Sequence, residues 1–167
     1  MSPDAATLES ISDDIRFRIG PFGEGEEITE NHGGLIVRVA AERRTEALAA
    51  LKSLGFTYYS WCGGVDWPDE DRMELMDQVA DIKRNARVTL KCSMPRSEPR
   101  VPTAMKVYAG ADWHEREAWE LFGIHFTGHP RLRRLLLADW HEGYPMRKDA
   151  VLRARIEKPW PGEFFSG

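Results

Sequence analysis

The residues best suited to chemistry in this chain lie between Glu115 and Asp149. Three carboxylates stand close to one arginine there, in the order Glu115, Arg116, Glu117 and Glu120. Paired carboxylates can act as general acid and general base in hydrolytic reactions. Carboxylates beside an arginine more often form ion pairs that orient a helix. The sequence favours this second interpretation.

Histidines raise the question of a metal site in the same stretch. His125 and His129 are four residues apart, a spacing that brings two imidazoles together on a helix. Gly123, Gly128 and Pro130 break any helix there. No cysteine and no further carboxylate motif completes a coordination shell. The sequence therefore predicts no bound metal, and a metal-dependent hydrolase is a remote alternative.

Basic and apolar residues alternate in the second half of the stretch. Arg133 and Arg134 precede three leucines, and Arg147 and Lys148 follow further along. A phosphate or nucleic-acid site is disfavoured, because the net charge is −4 and no glycine-rich phosphate loop is present. Arginine side chains, whose guanidinium groups can bind a carboxylate through two hydrogen bonds, are typical of protein interfaces together with large aromatic residues. We expect this segment to dock on a partner protein and to bind its carboxylates.

Length and composition favour one ordinary globular domain. The 167 residues are 42% hydrophobic and 30% charged, and a chain of this size buries about 70% of its unfolded surface. We expect no transit or signal peptide at the start and no bilayer-spanning run. Cys62 and Cys92 stand alone, which indicates reduced thiols and no zinc or iron–sulfur motif.

The hydrophobic pattern predicts a small α/β domain followed by a long arm. Residues 72–83 fit both a helix and a strand, and the residues alone favour a helix. Asp112 is expected to cap the last helix together with Glu115, and Gly123 to end it. The other predicted elements are helices at 8–17, 42–54, 103–108 and 113–122, strands at 35–39, 56–61 and 87–94, loops at 20–27 and 95–102, turns at Gly33-Gly34 and Gly63-Gly64, and a single turn at 132–136.

The spacing of these residues resembles the signature of a known family, the 30 kDa subunit of respiratory complex I. That subunit is also called C in bacteria and J in chloroplasts and cyanobacteria. The ending from Gly143 to Asp149, GYPMRKD, is similar to the family's G-x-P-x-R-K-D element. The other matching positions are Glu115-Arg116-Glu117, Glu120-Leu121-Phe122, His129, Arg133 and Leu135-Leu136. Ala138 stands where family members often have proline, and the Asp139-Trp140 step comes one residue early.

The resemblance implies an α+β fold, with a two-layer domain and an extended arm. A small mixed sheet is expected to carry helices on one face, and the family has a strand at residues 72–83. We divide the chain into a lead segment at 1–29, a globular domain at 30–122 and a C-terminal docking arm at 123–167.

The resemblance also implies the function of a non-catalytic assembly subunit in proton-translocating NADH:quinone oxidoreductase. In the family, this subunit docks on the D subunit, the forty-nine-kilodalton protein of the complex, and lies near the B and I subunits. It is peripheral, on the cytoplasmic side of the cell membrane. Iron–sulfur clusters and flavin are expected in partner subunits. We expect no catalytic residue, cofactor, metal, small-molecule substrate or nucleic acid on this chain.

Relatives of the complex offer the alternative. Membrane-bound nickel–iron hydrogenases, formate hydrogenlyase and ferredoxin- or F420-linked dehydrogenases use the same subunit type. The resemblance therefore identifies the type of subunit but does not identify the electron donor of the complex.

The resemblance assigns one set of residues to the family signature and the subunit interface. They are Glu115, Arg116, Glu117, Glu120, Phe122, His129, Arg133, Arg134, Trp140, Gly143, Pro145, Arg147, Lys148 and Asp149.

Overall fold

The protein folds into three helices, a five-stranded sheet and a two-stranded sheet within the described residues. A computed structural model describes residues 5–20, 27–31 and 34–150. The helices are α1 (Ala5–Ile19), α2 (Arg44–Ser53) and α3 (Ala111–Phe122). The strands are β1 (Glu27–Asn31), β2 (Gly34–Ala40), β3 (Tyr58–Trp67), β4 (Arg72–Asp81), β5 (Ala86–Pro95), β6 (Arg100–Pro102) and β7 (His125–Thr127).

The large sheet is mixed, in the order β1-β2-β5-β4-β3. Strands β2 and β5 are parallel, and the remaining neighbours are antiparallel. The short strands β6 and β7 pair in parallel beside it. This mixed α+β architecture confirms the predicted fold class.

One face of the large sheet forms the core. Val37 pairs with Leu90, and Leu75 pairs with Cys92, so these fully buried side chains lie on the same face. Helices α1 and α2 contact β2, and α3 contacts β3. The lead segment shares this core because Ile15 of α1 is fully buried. The division of the chain into three segments stays a prediction.

A buried ion cluster joins two helices and the sheet. Arg44, at the start of α2, is fully buried and donates to both Asp77 carboxylate oxygens, at 2.7 and 2.6 Å. It also donates to Glu115 of α3 at 2.8 Å and to the Pro102 carbonyl at 2.8 Å. Burial opposes the charge on Arg44, but the neighbouring Asp77 carboxylate raises the arginine pKa well above its ordinary value. The arginine therefore stays charged and fixes α3 relative to the sheet.

Glu115 also organises the chain just ahead of α3. Its carboxylate accepts from the Thr103 hydroxyl at 2.5 Å and from the Ala104 N–H at 2.6 Å. The predicted helix at 103–108 is wrong: the structure has a single turn there, in which the Ala104 carbonyl accepts from the Val107 and Tyr108 N–H groups. The predicted capping pair is also wrong, since α3 has no side-chain cap and Glu115 faces the buried arginine.

Close packing explains a second correction, at Gly63-Gly64. The sequence predicts a turn that ends the strand, yet β3 continues through both glycines to Trp67. A Cβ at Gly64 would lie 2.9 to 3.0 Å from Ile124 and Phe122. The glycine lets the end of α3 approach the strand closely, which is a known use of glycine inside a sheet.

The remaining predicted elements are partly correct. Residues 72–81 form β4, so the helix favoured by the residues alone is wrong and the family-based strand is confirmed. Residues 100–102 form a short strand inside the predicted loop. No helical turn occurs at 132–136. The helices at 8–17, 42–54 and 113–122 and the strands at 35–39 and 87–94 are confirmed, whereas most of the 20–27 loop and Gly33 lie outside the described residues.

We expect Arg44→Ala to lower the free energy of unfolding by about 3–5 kcal/mol, because it leaves two buried carboxylates unpaired. Arg100→Ala, which removes an exposed ion pair with Glu98, is the matched control, with a cost below about 1 kcal/mol. Urea unfolding followed by tryptophan fluorescence measures both. Equal values for the two variants would contradict this role of the buried cluster.

Candidate functional site

Three charged residues recur every four positions along α3. Asp112, Arg116 and Glu120 therefore lie on one face of the helix. The helix ends at Gly123, whose φ of 77° is the left-handed conformation common after a helix. The chain then follows α3 from its first turn to its last, as the contacts below establish. We call residues 123–150 the described arm.

The first contact lies at the beginning of α3. Arg131 donates to Asp112 at 2.9 Å. The His129 side chain is buried beside it, and its Nδ1 accepts from the Arg131 N–H at 3.1 Å. A neutral ring that accepts at Nδ1 carries its proton on Nε2, and Nε2 lies 3.3 Å from the Asp112 carboxylate. Within the described residues neither of these two facing atoms has a hydrogen-bond partner.

The second contact holds two backbone carbonyls. Arg116 donates from Nε to the carbonyl of Arg133 at 3.0 Å and from Nη2 to that of Arg134 at 2.9 Å. Its guanidinium also lies 5.4 Å from the centre of the Trp113 ring, in cation–π range. Arg116 therefore binds the arm through main-chain atoms, which any side chains at these positions can supply.

The third contact holds three backbone N–H groups. The Glu120 carboxylate accepts from Leu135 at 3.0 Å, Leu136 at 2.6 Å and Leu137 at 3.2 Å. Hydrogen bonds to an ionised acceptor are stronger than neutral ones, and successive N–H groups that converge on one anion form a nest. Side chains of α3 thus bind residues 133–137 through their backbone groups. We call Asp112, Arg116 and Glu120 the α3 clamp.

The end of the arm covers the end of α3. The Met146 N–H donates to the Leu121 carbonyl at 3.1 Å, and Arg147 Nε donates to the Phe122 carbonyl at 2.7 Å. A cation near the last carbonyls of a helix interacts favourably with its dipole. A Cβ at Gly123 would lie 2.7 to 2.8 Å from Tyr144 and Arg147, so the arm requires glycine here for space as well as conformation.

A last set of bonds joins the arm to the sheet. The Lys148 N–H donates to Asp66 of β3 at 2.9 Å. Arg96 donates to both Asp66 oxygens, at 2.7 and 3.1 Å, and lies 2.8 Å from the carboxylate of Asp149. The hydrogen bonds from Arg96 lower the pKa of Asp66 below its ordinary value. The arm is therefore bound at both of its ends as well as along α3.

A loop of the arm leaves large apolar side chains outside. Arg134 donates to the carbonyls of Ala138 at 3.2 Å and His141 at 2.7 Å, which closes the loop between them. Trp140 is nevertheless 75% exposed, and Leu136 is 63% exposed. Exposed apolar side chains on an ordered loop are typical of a binding surface.

Comparison with known proteins decides the family. A family profile described as "Respiratory-chain NADH dehydrogenase, 30 Kd subunit" matches residues 37–155. The chain belongs to this family. The resemblance on which the sequence-based expectations rest is thereby confirmed.

Individual relatives are similar to most of this chain and are named as C subunits of NADH-quinone oxidoreductases. A C subunit of the NADH-quinone oxidoreductase of Rhizobium meliloti, the one numbered 2, is 39% identical over 145 residues, which is 84% of this chain and 79% of that protein. The corresponding C subunit of Salinispora tropica is 32% identical over 156 residues, 90% of this chain and 64% of that protein.

Two solved structures have the same fold. One is described as Nqo5 of the trypsin-resistant fragment (1-134), with a TM-score of 0.62 and 29% identity, over 75% of this chain and 98% of that one. The other comes from the membrane-bound sulfane sulfur reductase, an archaeal respiratory membrane complex. Its TM-score is 0.76 and its identity 25%, over 87% of this chain and 86% of that one.

Most of the family signature makes hydrogen bonds or ion pairs within the described part of the chain. Arg134 and Arg147 donate to backbone carbonyls of their own chain, and their pairing with carboxylates of a partner stays a prediction. Phe122 and Pro145 are half-buried, and Gly143 has a φ of 81°. The signature residues with hydrogen bonds or ion pairs inside the chain are Glu115, Arg116, Glu120, His129, Arg134, Arg147, Lys148 and Asp149. Their role at a subunit interface stays a prediction.

Three polar side chains of the signature make no hydrogen bond, ion pair or cation–π contact within the described residues, whereas Lys148 Nζ lies 5.5 Å from the centre of the Trp67 ring. The side chains of Glu117, Arg133 and Trp140 make no hydrogen bond or ion pair to other residues in the part of the chain that the structure describes. The Glu117 side chain is half-buried, and the Arg133 and Trp140 side chains are exposed.

Sequence reasoning missed several residues that position the arm. It assigns Asp112 to a cap, although the spacing of four and eight residues to Arg116 and Glu120 was a usable signal. Asp66 and Arg96 gave no signal, since they meet the arm only through the tertiary fold.

Among the described residues, no group of three or more His, Cys, Asp or Glu side chains is placed to hold a metal ion.

No described helix is both long enough and apolar enough to cross a membrane.

We expect Glu120→Ala to loosen the arm, because three backbone N–H groups lose their acceptor. Limited trypsin digestion with mass spectrometry should detect cleavage after residues 131, 133 and 134 about ten times faster than in the wild type, an increase that corresponds to the loss of about 1.4 kcal/mol. Glu142→Ala, at an exposed arm carboxylate without a hydrogen bond or ion pair in the described chain, is the control. Equal cleavage rates in the two variants would rule out the clamp at Glu120.

Proposed function

We propose that this chain is an assembly subunit of a proton-translocating NADH:quinone oxidoreductase, and that its arm docks on the D subunit. Membership of the family and the names of the relatives support the complex. The observation that carries the docking role is the α3 clamp, which holds the arm in one conformation with apolar side chains outside.

The clamp favours docking because it orders the arm before a partner arrives. An extended segment that must be ordered on binding loses conformational entropy at that step, and a preorganised segment loses less. Trp140 and Leu136 already project from a backbone whose hydrogen bonds are made. Tyr144 and Met146, 41% and 55% exposed, extend the apolar surface along the arm.

A structural role also accounts for the carboxylates that suggested acid–base chemistry. Glu115 binds Arg44 in the core, and Glu120 binds the arm backbone. His129 is buried against Asp112. We propose that electron transfer takes place on iron–sulfur clusters and flavin in other subunits, near the B and I subunits, while this chain supplies surface and rigidity.

We further propose a peripheral position on the cytoplasmic side of the cell membrane, with the membrane contacted through partner subunits only. The family's place in a respiratory complex supports it.

The second candidate is the same scaffold in a different respiratory complex. The likeness to a chain of the archaeal membrane-bound sulfane sulfur reductase, with a TM-score of 0.76 over 87% of this chain, supports it. Membrane-bound hydrogenases and ferredoxin- or F420-linked dehydrogenases belong to this candidate. The relatives with 32% and 39% identity support the NADH:quinone assignment instead.

Purification of the tagged chain from native membranes tests the proposal. We expect subunits of an NADH:quinone oxidoreductase in equal amounts, including a D-type subunit, and quinone-dependent NADH oxidation in the purified complex. An unrelated tagged protein purified in the same way is the control. A hydrogenase or sulfur reductase large subunit in the preparation would select the second candidate, and a lone chain would contradict both.

A further inference from the structure

Among the polar side chains of the signature, three make no hydrogen bond, ion pair or cation–π contact inside the described part of the chain. We propose that Glu117, Arg133 and Trp140 are the side chains that contact the partner protein, whose surface offers an apolar pocket for the indole, a carboxylate opposite Arg133 and a cation opposite Glu117. This inference rests on the proposed function, and it separates these residues from the signature positions that hold the arm.

Arg133 is the clearest case, because its backbone is fixed while its side chain is not used. Its carbonyl accepts from Arg116 at 3.0 Å, and the neighbouring carbonyl of Arg134 accepts at 2.9 Å. The Arg133 side chain is exposed and has no carboxylate partner among the described residues. A guanidinium presented from an ordered backbone suits bidentate binding of a carboxylate.

Glu117 lies on the helix that carries the clamp. It follows Trp113 by four residues, so the two side chains are neighbours on α3. Trp113 is 59% exposed, and Arg116 joins its ring to the backbone of Arg133. The Glu117 carboxylate has no partner in the described chain and is not among the described buried atoms that lack a hydrogen bond, so it is accessible to a cation of a docked protein. The surface is therefore continuous from Trp113 to Arg133.

Trp140 supplies the apolar part. Its loop is closed by the two hydrogen bonds from Arg134, yet the indole is 75% exposed. Tryptophan and arginine are among the residues most enriched where a few side chains dominate binding energy at interfaces. An exposed tryptophan on a closed loop binds with little further loss of conformational freedom.

Charge selects a protein partner over other surfaces. The proposed contact set carries one anion and one cation, and the exposed acids Asp139 and Glu142 flank Trp140. The described arm carries charges of both signs, with the acids Asp139, Glu142 and Asp149 among five basic residues, so it is not the uniformly basic surface that an anionic lipid surface or a nucleic acid would require. A protein with charges of both signs around an apolar pocket fits them.

A competition experiment in the intact complex tests the inference. Cells produce the wild-type chain and one variant with different tags, the complex is purified through another subunit, and the ratio of the two chains is measured. The variants are Arg133→Glu, Arg133→Gln, Glu117→Gln and Trp140→Ala. The matched controls are Lys106→Gln, Asp69→Asn and Tyr58→Ala, which alter exposed residues whose side chains make no hydrogen bond or ion pair in the described chain.

We expect the ratio of variant to wild type to fall about thirtyfold for Arg133→Glu and Trp140→Ala. Arg133→Gln and Glu117→Gln should fall less, and the controls should stay within about twofold. Urea unfolding of each isolated variant should match the wild type, because these side chains make no contacts that the fold needs. A larger effect of glutamate than glutamine at position 133 is specific to a carboxylate partner.

Three results would overturn the inference. Equal incorporation of all four variants and the controls would remove the surface, while the presence of the wild-type chain in the complex would leave the proposed function standing. Dimerisation of the isolated wild-type chain that Arg133→Glu abolishes would assign the surface to a second copy. Absence of the wild-type chain from the complex would instead refute the proposed function, and the inference with it.

Discussion

An extended segment on a protein surface must find partners for its backbone N–H and C=O groups, and this requirement organises the molecule. Beyond β7, the arm meets it at residues 133–137 with side chains of α3 instead of a neighbouring strand. Arg116 binds two carbonyls, and Glu120 binds three N–H groups. Because these bonds involve main-chain atoms, they fix the path of the arm without using its side chains. Those side chains are left available to contact another protein.

The clamp works only if α3 itself is fixed. The fully buried Arg44 meets this need by binding Asp77 on the sheet and Glu115 on α3. Glu115 and Arg116 are adjacent in sequence but bind different parts of the molecule. One attaches the helix to the core and the other attaches the arm to the helix. The residues that first suggested catalysis therefore bind α3 to the core and the arm to α3.

Local patterns predicted what local forces determine. The strand at 35–39 follows from its β-branched residues, the strand at 87–94 from alternation of apolar and polar side chains, and the end of α3 from Gly123. Residues 72–83 are ambiguous in the sequence because Met73 and Met76 keep a helical spacing, while Met73 and Leu75 also fit one face of a strand. Only sheet pairing on both sides decides. The role of Gly64 depends on contacts far away in sequence. The clamp is partly predictable from the sequence, since the spacing of Arg116 and Glu120 places them within one helical turn. Their hydrogen-bond partners are not predictable, because they are backbone groups, which every residue type supplies.

The arm should be ordered on its own chain before any partner binds. Amide hydrogen exchange of the isolated full-length chain tests this most directly, at the three N–H groups of residues 135–137. The structure predicts protection well above that of an unfolded peptide, lost when Glu120 is replaced by alanine but kept when Glu142 is. Exchange of these amides at the unfolded rate in the wild type would contradict an arm ordered by the α3 clamp.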